Sequence, residues 1–101
     1  MSRFMVLHYG FEMPTPEVMH AWSAWFTSLG TALVDGGSNF RLGAELTVTG
    51  SRDLDDDPSP ITGYCIIEAD SLDAALALVS GVPVIDAVRV YELNQPPPPA
   101  A

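Results

Sequence analysis

At 101 residues and 48% hydrophobic side chains the chain has the size of one domain with one modest core, although only about 60–65% of the unfolded surface is buried at this length and a second copy over an open face adds stability. Thirteen acidic residues stand against four arginines, Arg3, Arg41, Arg52 and Arg89, for a net charge of −9. That field repels phosphate backbones and anionic membranes, so neither nucleic acid nor a membrane surface is an expected partner.

The apolar run Phe4, Met5, Val6, Leu7, closed by Gly10 and Pro14, predicts a strand over about residues 3–9. It is too short and too soon interrupted, by His8 and Glu12, for a signal peptide or a membrane span. Thr15, Pro16 and Glu17 form a helix start: a hydroxyl cap, a first-turn proline and an acid at the positive end. The helix is expected to reach towards Val34. Val18, Trp22, Trp25, Phe26, Leu29 and Leu33 share its apolar side, so both tryptophans are expected in the core and His20 in solvent.

Asp35, Gly36 and Gly37 are expected to end that helix, and the alternation from Ala44 to Thr49 predicts the second strand. Residues 50–60, GSRDLDDDPSP, have no periodicity and are expected to form a mobile, solvated loop. Asp53, Asp55, Asp56 and Asp57 lack the central glycine and closing glutamate of a calcium loop, so no metal is assigned to them. Ile61–Ala69 is the third strand, and Ser71 caps a second helix with Leu72, Ala75, Leu76 and Val79 on one side, stopped by Gly81 and Pro83. Residues 85–93 form the fourth strand. Residues 1–94 then make one domain, and 95–101, with four consecutive prolines, make a disordered tail. Cys65 is unpaired within an apolar run and no Cys or His cluster suits zinc, which predicts a reduced, cytoplasmic setting and no cofactor metal.

The order strand, helix, strand, strand, helix, strand predicts an α+β, ferredoxin-like βαββαβ domain: a four-stranded antiparallel sheet with both helices on one face. Strand parity assigns Leu46, Val48, Gly63, Cys65, Ile67, Val88 and Val90 to the covered face. It assigns Tyr64, Ile66, Glu68, Arg89 and Tyr91 to the open one, and Phe4, Val6 and His8 are grouped with these. In such a sheet the first strand is expected between the third and fourth, parallel to the third and antiparallel to the fourth. His8 and Glu68 then end at the same edge, where a carboxylate raises and orients an imidazole for acid–base work. His8 and Glu68 are therefore the candidate catalytic pair, with Tyr64, Arg89 and Tyr91 as candidate ligand-binding residues. The same open face also has the make-up of a dimer interface.

The segment ITGYCIIEADSLDAALAL at 61–78, with RFMVLHYG at the start, HAWSAWF at 20–26 and AVRVYEL at 87–93, is similar to the YCII-related and DGPF-type family over nearly the whole chain. The resemblance implies a dimeric α/β barrel, built as a homodimer by packing two open sheet faces, with a pocket between sheet and helices. Family function is largely unassigned, and some members resemble small lyases that use a histidine and an aspartate. The chain departs from that pattern in lacking a central DGPF and in reading GVPVI after the second helix. The expected function is thus a homodimeric binding or accessory module. The alternative is a cofactor-free lyase or isomerase acting on a small molecule through a His/carboxylate pair.

Overall fold

The computed structural model describes residues 1–94; the proline-rich tail predicted from residue 95 lies outside them. The elements are β1 (Ser2–Tyr9), α1 (Pro16–Leu29), a 3₁₀ turn (Gly30–Ala32), β2 (Leu33–Asn39), β3 (Ala44–Thr47), β4 (Gly50–Asp53), β5 (Ile61–Ala69), α2 (Leu72–Val79) and β6 (Ala87–Glu92). The main sheet has four strands in the order β2-β5-β1-β6, every neighbouring pair antiparallel. This is an α+β architecture of broadly ferredoxin-like form.

Three expectations are corrected by this topology. The second sheet strand is Leu33–Asn39, in place of 44–49. Residues Ala44–Thr47 do form a strand, but it pairs only with Gly50–Asp53, because the turn between them closes on itself: the Thr49 amide donates to Thr47 Oγ1 at 3.3 Å. Part of the predicted mobile loop is therefore ordered hairpin. The true edge strand was masked by Asp35-Gly36-Gly37, a helix-stop signal that here sits inside a strand with two register shifts. Gly37, at φ +68°, passes so close to β5 that a Cβ would overlap the Tyr64 carbonyl oxygen.

Secondly, β1 runs antiparallel to β5. A chain that goes up β1, down α1 and up β2 must come down the next sheet strand, so the first and third sheet strands cannot be parallel. Thirdly, the parity of β1 is inverted. Phe4 and Val6 are fully buried, and His8 is 8% exposed on that same helix-covered face; they lie opposite Ile67, Cys65 and Gly63. The ladder with β5 sets this parity, placing Phe4 and Val6 against the fully buried Ile67 and Cys65 while Met5 and Leu7 stand half-exposed on the other side.

Thr15 caps α1, its Oγ1 accepting from the Val18 amide at 3.2 Å, and Ser71 caps α2, accepting from the Ala74 amide at 3.1 Å. Helix α1 ends at Gly30, short of Val34. On α2 the buried stripe is Ala75 and Val79, flanked by Ala74 and Leu78, while Leu72 and Leu76 are exposed. The two helices are tied together by Trp25, whose Nε1 donates to the Leu78 carbonyl at 3.1 Å. Trp25 belongs to the core, as predicted, whereas Trp22 is only half-buried.

Replacement of Trp25 by Ala is expected to cost about 3–5 kcal/mol, the range for deleting a buried aromatic side chain. Trp22→Ala should cost clearly less, and equal losses in urea unfolding would contradict the different burial of the two rings.

Candidate functional site

A cleft of about 710 Å³ opens where α1 passes over the end of the sheet. Trp22 and Phe26 of α1, the Gly36–Asn39 stretch of β2, Thr62 and Gly63 of β5, and Phe11 and Ile85 from the flanking loops line it, with His8 of β1 among them. Three of the lining positions, Gly36, Gly37 and Gly63, carry no side chain. Gly63 stands opposite His8 in the ladder, so the imidazole has no neighbouring side chain across the strand pair.

His8 is the one buried polar side chain among the described residues whose ring nitrogens, Nδ1 and Nε2, have no hydrogen-bond partner. Its ring stands edge-on to Trp22 and Trp25, with centroids 4.9 and 5.9 Å away and interplanar angles of 82° and 86°. Burial pushes the imidazole below its ordinary value of 6.5, which keeps it neutral at pH 7. A neutral imidazole offers one donor and one acceptor.

The predicted pair does not form. Glu68 stands opposite Arg3, and its carboxylate lies 3.6 Å from the Arg3 guanidinium. His8 is five positions further along β1, about 17 Å away at the rise of a strand, and on the opposite face. The carboxylate that shares the cleft with His8 is Glu12, which is exposed. Sequence reasoning missed Glu12 because it lies in a loop without periodicity.

The candidate ligand residues are also divided. Arg89 and Tyr91 lie on the open face, where the Arg89 guanidinium sits 4.9 Å over the Tyr9 ring, and Tyr91 is half-exposed. Tyr64 stacks on Phe40 with centroids 5.8 Å apart, and both line the cleft. Of the five predicted site residues, then, His8 and Tyr64 share the cleft and the other three do not. Trp22 and Phe26 were not predicted as site residues, since an aromatic stripe at helical spacing reads as core, and Phe40, just past the end of β2, stands in a stretch without periodicity.

Cys65 is buried, with its thiol pushed up to about 11, first by burial and then by the charge of Asp35, so it is an inert packing group. No group of three His, Cys, Asp or Glu side chains that could hold a metal ion occurs among the described residues, and no helix there is long and apolar enough to cross a membrane. No protein-family model and no curated protein matches this chain.

Because the folded-state value of His8 lies below the unfolded one near 6.5, the unfolded chain takes up the proton first as pH falls. The contribution of His8 to stability is therefore whole above pH 6.5 and shrinks below it, by up to about 1.4 kcal/mol per unit. Relative to His8→Phe, the wild type should lose stability between pH 6.5 and the folded-state value, and its ring proton titration should be unmoved by Glu68→Gln. A downward shift on that substitution would restore the dyad.

Proposed function

We propose that this chain is a YCII-related, homodimeric domain that binds a small molecule in the cleft beneath α1, with His8 as the polar group the ligand satisfies. The observation that carries this reading is the orphaned imidazole at the cleft. A buried polar group left unpaired costs about 1–3 kcal/mol, a cost that a ligand of the size of this cavity recovers if it reaches one ring nitrogen. The family reading draws support from the GYCIIEADS segment and from the broadly ferredoxin-like arrangement of the strands.

The homodimer draws support from the sheet face that the helices leave bare. Met5, Leu7 and Ile66 are half-buried there and Tyr91 is 50% exposed, a contiguous apolar area of the kind that packs against a second copy. In the dimeric barrel two such faces meet, and the clefts remain on the outer, helix-covered sides.

A second reading, a cofactor-free lyase or isomerase, is favoured by the same neutral imidazole, since a bare ring nitrogen can accept a proton from a bound substrate. Its carboxylate partner would be Glu12 rather than Glu68.

Two measurements test the proposal. A mixture of small aromatic fragments added to labelled protein should move the amide resonances of Gly37, Thr62 and Gly63, and shifts confined to the open sheet face would move the site elsewhere. Light scattering should give twice the chain mass for the wild type and the chain mass for Ile66→Glu, which places a charge on the bare face. A monomeric wild type at all concentrations ends the dimer reading.

A further inference from the structure

The cleft has a chemical bias that narrows what can occupy it. Glu12 is the only charged side chain among its lining residues, and none of the four arginines reaches it. His8 adds no positive charge, because burial keeps it neutral. An anionic ligand would give up its hydration without gaining a cation, in a protein that carries −9 overall. A cationic ligand would be desolvated against a single carboxylate that stands in water and is screened there. Against these costs the walls carry the aromatic side chains Trp22 and Phe26 of α1, which reward a planar body.

We infer that the ligand class is a flat, uncharged, mostly apolar molecule whose polar head, such as a primary amide or lactam, hydrogen-bonds one ring nitrogen of the His8 imidazole. This rests on the reading of the cleft as a binding site and adds the charge and shape of its occupant. The head group removes the cost of one orphaned ring nitrogen, which a purely apolar molecule leaves in place. The cleft volume of about 710 Å³ lies within the usual span of small-molecule sites, about 300–1,000 Å³.

Three probes with one ring system separate the terms: 2-naphthamide, 2-naphthoate and 2-naphthylmethylammonium, with naphthalene as the headless reference. By NMR titration the amide should bind the full chain at least about tenfold more tightly than either charged analogue, a difference of about 1.4 kcal/mol. His8→Phe should weaken the amide about tenfold relative to naphthalene. If that variant does not fold, the ring nitrogen resonances of wild-type His8 report instead, moving with the amide and staying still with naphthalene. A charged analogue that binds as tightly as the amide, or an amide that ignores His8, overturns the inference while the cleft remains a binding site. Failure of all four probes, naphthalene included, removes the binding site and the inference with it.

Discussion

The antiparallel ladder between β1 and β5 sets Phe4 against Ile67, Val6 against Cys65 and His8 against Gly63. Those first four side chains are fully buried and form the centre of the core. A slip of β1 by one residue would send Phe4, Val6 and His8 to the bare face and bring Met5 and Leu7 under the helices. Burying a Phe or an aliphatic side chain contributes about 1.5–3 kcal/mol each, whereas an unpaired imidazole costs about 1–3 kcal/mol. The core therefore outweighs the histidine and carries it inside. His8 is buried without partners because its strand neighbours dictate the register.

Helix α1 then divides its aromatic face between two tasks. Trp25 packs into the core and fastens α2 through the Leu78 carbonyl, while Trp22, one turn earlier, stands edge-on to the His8 ring and lines the cleft. The T-shaped arrangement of Trp22 and Trp25, with centroids 6.0 Å apart, holds the half-buried ring by the buried one. Stability and cavity are thus built on a single helix face.

The hairpin of β3 and β4 stands apart from this core. Leu46 and Val48 at its end are almost wholly exposed, and its cross-strand ion pair, Arg52 to Glu45 at 3.2 Å, lies in solvent where such pairs contribute at most about 1 kcal/mol. Two strands without a covered face are marginal by themselves. The bare side of the main sheet carries the same lack of cover, and the two together leave the single chain with more apolar surface in water than its core requires.

The helix starts at Thr15 and Ser71, the core role of Trp25, the strand at Ile61–Ala69 and the broad α+β class were all legible in the sequence, because caps and periodicity are local signals. The edge strand Leu33–Asn39 was not, since Asp-Gly-Gly announces a stop and only pairing with β5 makes it a bulged strand. The separation of His8 from Glu68 was equally hidden. Phe4, Met5, Val6 and Leu7 are all apolar, so neither parity of β1 is preferred by composition, and the choice falls to the residues across the ladder. Candidate residues can be read from residue type. Which of them meet depends on strand direction and register, which long-range pairing alone decides.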